Sequence, residues 1–325
     1  MNPFFPVEYS TLSGSHLLQL IKLQYNFPSG TSISYIKRGF NDTYLINDNN
    51  HKYILRVYKH GWKNLAQIET EIKLLIHLHE NGVSVSHSIS DKQLQFIQTI
   101  IAPEGERYAV LFSFADGQQL KKLNSEQAFL LGKQTGKIHR LTQNNYFGET
   151  AFVYDFKTQF NNVINTLQPL LTEYTEQYEY LLSLQEIFLT VWKNSNEKEI
   201  AQGVCHGDLQ AENFHINADN EITFFDFDFL GTGCLIYDIG VFSWYDHKNK
   251  PKEIMDSFLK GYQTERILTE TETQLLPYFS TLRALFQLNL FCSISNGSSL
   301  PLWPTEQAAS FVWKIKKWQE ARRTY

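Results

Sequence analysis

Val204-Cys205-His206-Gly207-Asp208-Leu209-Gln210-Ala211-Glu212-Asn213 is followed, thirteen residues after Asn213, by Asp226-Phe227-Asp228. An Asp and an Asn five apart in a loop, then an Asp ending a nearby strand, supply one base and two oxygen ligands. Phosphoryl transfer from Mg-ATP asks for those parts. A carboxylate orients the attacking hydroxyl, while an amide oxygen and a second carboxylate hold the magnesium that bridges the phosphates. Because the transition state is loose, placement of the base matters more than its strength. A lone His-Gly-Asp would be no more than a turn; three elements in order, at compatible spacing, carry the chemistry.

Working outward, Ile222-Thr223-Phe224-Phe225-Asp226 reads as a short β run beside turn residues. Towards the N-terminus, strands are expected at Ser32–Ile36, Thr43–Ile46, Tyr53–Tyr58, Leu94–Thr99 and Tyr108–Phe114. Arg38-Gly39-Phe40-Asn41-Asp42 is a tight turn and Asn47-Asp48-Asn49-Asn50 a hairpin. Ile68, Ile72, Leu75 and Leu78 fall at helical spacing between Leu65 and Glu80, with Asn81-Gly82 as the stop. After Ala115-Asp116-Gly117 the pattern turns helical. Ser125 is expected to cap a helix with Ala128, Leu131, Thr135 and Ile138 on one face. Val163–Trp192 reads as a long helical region with a break, and Thr269-x-x-Glu272 as a capping box. A last helix, Glu306–Arg322, would turn Phe311, Ile315 and Trp318 inward and leave its lysines and arginines in water.

The 325 residues include 24 Phe, 17 Tyr and 6 Trp, which excludes a disordered chain and suggests about two domains. A net charge of −5 argues against nucleic-acid binding, which needs a basic footprint. Cys205, Cys234 and Cys292 are too few and scattered for a disulfide framework or thiolate metal site, so a reducing, cytoplasmic setting is expected. The uncharged run Ala284–Thr305 holds Gln287, Asn289, Asn296-Gly297-Ser298-Ser299, Pro301 and Pro304, so no membrane span is expected. His77 and His79, two apart on one helix, would face different ways and cannot share a metal.

On these residues the sequence resembles the aminoglycoside phosphotransferase and choline kinase superfamily, including kinases of the homoserine type. The resemblance implies an α+β, bilobal, protein-kinase-like fold. A small antiparallel β-sheet lobe with one helix (residues 1–114) would bind nucleotide, and a mostly helical lobe (115–325) would hold the catalytic loop and acceptor. His206-Gly207-Asp208-x-x-x-x-Asn213 matches the catalytic loop, making Asp208 the catalytic base and Asn213 a magnesium ligand. Phe225-Asp226-Phe227-Asp228 matches the metal-binding strand end, with Asp226 as ligand and Asp228 assisting. Gly39, Asn41 and Thr43 resemble the turn over the phosphates, although here the Asn comes one residue early. Arg56 takes the place of the phosphate-contacting lysine, as in choline-kinase-like members, and can fork onto two oxygens. Its carboxylate partner would be Glu71, in register with Leu75 and Leu78, rather than Glu69. Phe112 and Phe114 lie in the segment resembling the hinge that meets adenine, Leu131-Gly132-x-x-x-Gly136-x-Ile138-His139 resembles the first helix of the second lobe, and Tyr237-Asp238 resembles a helix start whose Asp braces the catalytic loop.

The implied reaction is transfer of the γ-phosphate of ATP, with Mg2+, to the hydroxyl of a small molecule; the superfamily phosphorylates amino sugars, choline and homoserine. A cationic acceptor would call for carboxylates such as Asp246 and Glu212. Two other readings stand beside it. One is a bacterial Ser/Thr protein kinase of the stress-response type, disfavoured because no activation segment ending in Ala-Pro-Glu follows Asp226. The other is a nucleotide-binding pseudokinase scaffold, which would require a core residue to be missing. The resemblance runs from about residue 33 to 245, and Phe279-x-x-x-Arg283-Ala284-Leu285 beyond it carries no specific signature.

Overall fold

The computed structural model describes residues 7–120, 122–245, 252–295 and 305–322. The chain begins with α1 (Gly14–Gln24), β1 (Ser32–Arg38), β2 (Asp42–Asn47), β3 (Lys52–Val57), α2 (Leu65–Glu80), β4 (Ile97–Ala102) and β5 (Gly105–Ser113). It continues with α3 (Ser125–Thr142), β6 (Phe152–Tyr154), α4 (Phe156–Leu167), α5 (Thr175–Lys193), β7 (Gln202–Cys205), β8 (Phe214–Ile216) and β9 (Ile222–Phe224). Last come β10 (Gly231–Cys234), α6 (Ile236–Tyr245), α7 (Lys252–Tyr262), α8 (Glu270–Ser295) and α9 (Thr305–Arg322). The α+β class is as expected.

These elements pack into two compact units. The first is the chain to Leu120 with Phe147–Ala151 and Phe214–Asp226; the second is the remainder. The first unit is built on a five-stranded sheet in the order β1-β2-β3-β5-β4, with antiparallel neighbours throughout. Because side chains alternate across a strand, the register sorts them by face. Tyr44, Leu55 and Leu111 align across β2, β3 and β5 and join a core with Leu17, Ile21 and Tyr25. Thr43, Arg56 and Val110 align next to them, on the opposite face.

Among the described residues the first unit holds two helices, where the sequence suggested one. Gln19 and Lys22 interrupt the apolar run of α1, but Leu17 and Ile21, four apart, share a face and are buried. The helix α2 spans Leu65–Glu80 as read, opened by a capping box between Asn64 and Gln67 and followed by Gly82 at φ 71°. β4 begins at Ile97, three residues later than expected. Leu94 has φ 62° in a turn whose Gln93 and Gln95 amides both donate to Asp91, and that local bonding competes with a strand. His77 meets Phe147 while His79 stacks on His87, so the two do face apart.

In the second unit, α3 is capped by Asn124, not Ser125: its side chain accepts from the Gln127 amide, and Gln127 returns the bond. Gly132 and Gly136 bring α3 against α7; a Cβ on Gly132 would lie 1.9 Å from the Phe258 carbonyl oxygen. The long helical region breaks into α4 and α5. The expected capping box opens α8, with Thr269 and Glu272 each bonding the other's amide at 3.0–3.1 Å. On α9, Ile315 and Trp318 are buried and Lys314 and Lys317 exposed. Asp246 and Arg323 lie outside the described residues. No helix of the described residues is long and apolar enough to cross a membrane.

Candidate active site

Two networks of buried charge hold the singled-out residues, one in each unit. In the first unit, Arg56 on β3 points from the sheet toward α2. Its Nη1 donates to Glu71 Oε1 at 2.8 Å and its Nη2 to Asp226 Oδ1 at 3.3 Å. Glu71 is wholly buried, and its other oxygen accepts from Lys63 Nζ at 2.8 Å and Tyr58 Oη at 3.1 Å. A buried carboxylate is tolerated only with such partners, since an unpaired charge in a dry interior is costly. Glu69, two residues earlier, is exposed. The helical register therefore selects Glu71 as the partner of Arg56. Lys63 carried no signal in sequence, because it sits in the irregular segment after β3.

The same segment secures the expected phosphate turn. The Lys59 amide donates to Asn41 Oδ1 at 3.0 Å, and Phe40 stacks on Trp62 with centroids 4.6 Å apart. Asn41 is thus a buried brace of the turn. Gly39 is different. Its backbone is outside the left-handed region, and an added Cβ would meet only the Asn41 carbonyl oxygen, at 4.0 Å. Neither strain nor crowding within the protein demands a glycine there, so the missing side chain leaves open space beside the turn. Thr43 is half-buried, opposite Arg56 in register. Phe112 is buried under the Arg56 guanidinium, 5.0 Å from its ring centroid, and Phe114 is half-buried with Lys52 over its ring at 5.4 Å. Around them, the Ser113 amide donates to the His87 carbonyl and the Ala115 carbonyl accepts from His215.

Asp226 reaches this network because the β8–β9 hairpin belongs to the first unit, bridged through Gln118 to Ile216 and Val85 to Phe224. Its φ is 64°, a left-handed conformation uncommon for a residue with a Cβ. About 29% of its side chain is exposed. Being partly open, the carboxylate can offer oxygen to a hard cation that keeps waters of its own, although Arg56, bonded to its Oδ1 at 3.3 Å, would compete for it.

In the second unit, the catalytic-loop sequence follows β7. Gly207 has φ 81°, and a Cβ there would lie 2.1 Å from the Phe229 carbonyl oxygen. Here the glycine is imposed by the fold. Asp208 is 6% exposed. Its Oδ2 accepts from Asn213 Nδ2 and Gln210 Nε2, both at 2.7 Å, and its Oδ1 from Arg283 Nη2. Asn213 Nδ2 also donates to the Asp208 carbonyl at 2.9 Å. With its nitrogen engaged, the amide has Oδ1 as the atom to offer a metal. Asp228 is buried in the turn Phe227–Phe229, and Glu212 is exposed.

Asp238, at the start of α6, holds the loop from behind. It accepts from the His206 and Gly207 amides at 2.8 Å and bonds His139 Nε2 at 3.0 Å. Burial pushes its carboxyl up, but the hydrogen bond and charge of His139, with His206 and the Gly207 amide, outweigh this and hold it below the ordinary range. The chain of contacts runs on through His139 Nδ1 to Tyr262 Oη at 2.8 Å, then to Arg266 at 3.0 Å and Glu272. His139 is thus a structural histidine, bonded on both ring nitrogens within the protein.

The structure therefore gathers Arg56, Glu71, Phe112 and Asp226 in the first unit, and Asp208 and Asn213 in the second. Sequence reasoning gave no role to Lys63, Gln210 or Arg283, although Gln210 lies inside the quoted catalytic-loop motif and Arg283 within the quoted tail pattern.

Comparison with known proteins places this geometry. A model of the phosphotransferase enzyme family matches residues 32–276. Amicoumacin kinase of Bacillus subtilis is 23% identical over 302 residues, covering 89% of this chain and 88% of that protein. An amicoumacin kinase solved in complex with AMP-PNP, Ca2+ and Ami superposes with a TM-score of 0.75 at 20% identity, over 95% of this chain and 94% of the other. A microcompartment-associated aminopropanol kinase superposes at 0.67 with 21% identity, over 94% and 98%. At these identities the superpositions establish the fold.

Proposed function

The chain belongs to the phosphotransferase enzyme family, and from that premise we propose that it moves the γ-phosphate of ATP to the hydroxyl of a small molecule, with Mg2+. What carries the reading is the Asp208–Asn213 pair: a buried carboxylate whose Oδ2 takes a 2.7 Å bond from the amide five residues on. Asp208 is the catalytic base. Its role is to accept the proton of the acceptor hydroxyl and aim the oxygen at the γ-phosphorus, which in a loose transition state asks for orientation more than basicity. Gln210 and Asn213 fix the carboxylate by its other oxygen.

Residues 1–114 act as the nucleotide-binding lobe and 115–325 as the catalytic and acceptor lobe, although Phe214–Asp226 packs with the first unit. Arg56, steadied by Glu71, is the phosphate cation, and its fork can span two oxygens. Gly39, with open space where a side chain would be, lets the turn's backbone approach the phosphates, and Asn41 and Thr43 frame it. The hinge segment around Phe112 and Phe114 lies against the adenine edge, and because the Ser113 amide and the Ala115 carbonyl are already bonded within the protein, any backbone contact to the base comes from the other groups of that segment. Asn213 and Asp226 are the magnesium ligands and Asp228 supports them; the metal, once bound, neutralises phosphate charge. The aminopropanol kinase named above suggests an acceptor of amino-alcohol type, the resemblance to aminoglycoside phosphotransferases an amino sugar, and the chain's few cysteines suit a cytoplasmic enzyme.

ADP release from Mg-ATP, measured against amino alcohols, homoserine, aminoglycosides and casein, tests this. Release that depends on a small hydroxyl compound is expected. Label on casein alone would instead indicate a protein kinase. Thermal stabilisation by Mg-ATP with no transfer to any acceptor or to water would contradict the proposal.

A further inference from the structure

We propose that Arg283, on α8, is a positioning residue for Asp208, fixing the plane of the base from a point 75 residues further along the chain. The inference builds on the phosphotransfer reading and names a residue which that reading does not require.

The geometry is that of a fork. Arg283 Nη2 donates to Asp208 Oδ1, and Nη1 to the carbonyl of the preceding residue, Gly207, at 3.3 Å. One rigid guanidinium thus ties the side chain of the base to the backbone it hangs from. A lysine could make one of those bonds but not hold both in a plane. The partners are nearly dry, Arg283 at 3% exposure and Asp208 at 6%, so water competes little for either. Oδ2 is already taken by Asn213 and Gln210 at 2.7 Å. Donors on both oxygens leave the carboxylate no freedom to turn about its Cβ–Cγ bond.

Arg283 is itself immobilised. The Phe286 ring, three residues on along α8, lies under the guanidinium with its centroid 5.2 Å from Cζ. At its start, α8 is anchored by Glu272, which takes Arg266 and, at 3.1 Å, the Ala201 amide. The helix is therefore a fixed post against which Asp208 is set. Proton acceptance needs the base within hydrogen-bond reach of the hydroxyl, and misplacement by about 1 Å can cost on the order of 10²-fold in rate.

The test compares R283Q, R283K, D208N and R283Q/D208N by ADP release from Mg-ATP. The acceptor is whichever hydroxyl compound the wild type uses, or water if it uses none. R283Q should lower kcat about 10²-fold while the affinity for AMP-PNP holds within about twofold. R283K should fall between R283Q and wild type. In the D208N background, R283Q should add little, because its effect runs through the base; a merely structural arginine would subtract the same factor in both backgrounds. Guanidinium chloride at low concentration should restore part of the activity of R283A and none of D208N. If R283Q fails to fold, R283K and the rescue of R283A decide. Wild-type kcat in R283Q, or full additivity with D208N, overturns the inference and leaves the phosphotransfer reading intact. A wild type that turns over ATP with no acceptor, water included, removes both.

Discussion

Glu71 and Asp208 are both buried acids gripped by arginine, yet they are assembled in opposite ways. Arg56 and Glu71 are 15 residues apart, on a strand and the helix that follows it. Asp208 and Arg283 are 75 apart, and two further helices lie in sequence between the loop and α8. The first pair is written by local periodicity, since a strand face and a helix face each have a fixed repeat. The second exists only once the helices have packed. The two glycines repeat the lesson. Gly207 is compelled by a positive φ and a carbonyl 2.1 Å from any Cβ, whereas nothing in the protein compels Gly39. One serves the fold and the other leaves space for a ligand.

The comparison can be broken most forcefully at the two acids. Asp208→Ala removes a group that would touch the reacting hydroxyl, and should cost about 10²–10⁴-fold in kcat with nucleotide affinity largely kept. Glu71→Gln leaves Arg56 and Lys63 facing a neutral amide. It should cost about 3 kcal/mol of stability in thermal or urea unfolding and raise the KM for ATP, a signature Asp208→Ala should lack. If both substitutions moved kcat and KM alike, the division between base and phosphate-side brace would be wrong.

The glycines sharpen the contrast. Gly207→Ala should destabilise by about 3 kcal/mol, through a backbone clash and a disfavoured φ. Gly39→Ala should change stability by no more than about 0.5 kcal/mol while weakening ATP binding in a titration. Equal destabilisation by both would remove the distinction drawn between them.

The smallest effect is on pH. Asp238 is held below the ordinary carboxylate value of about 3.9. Its contribution is therefore full above that value and lost as pH falls through the lower folded one. Stability should decline below about pH 4, with at most about 1.4 kcal/mol per pH unit from this one group. Asp238→Asn, measured beside wild type between pH 5 and 3, should show a shallower decline.

Much of the first unit was legible in the sequence. The strands of its sheet, the span of α2 and the choice of Glu71 over Glu69 all follow from repeats of two and of 3.6 residues. What was missed there has physical reasons. α1 carries Gln19 and Lys22 within its apolar run, and only its packing of Leu17 and Ile21 on the sheet shows which face is buried. Lys63 lies in a connection with no period at all. In the second unit the motif around Asp208 was plain, but its bracing was not. The route from Asp238 through His139, Tyr262 and Arg266 to Glu272 joins α6, α3, the end of α7 and the start of α8. No spacing in one dimension announces such a chain, and Arg283 looks in sequence like any arginine in an apolar helix.

The central claim is that this chain transfers phosphate through Asp208. It is tested most directly by 31P NMR of Mg-ATP incubated with an amino-alcohol or aminoglycoside acceptor, using wild type and Asp208→Asn. The account predicts ADP and a new phosphomonoester resonance growing together in the wild type, and neither on the same timescale in the variant. A phosphomonoester formed at the wild-type rate by Asp208→Asn would contradict it.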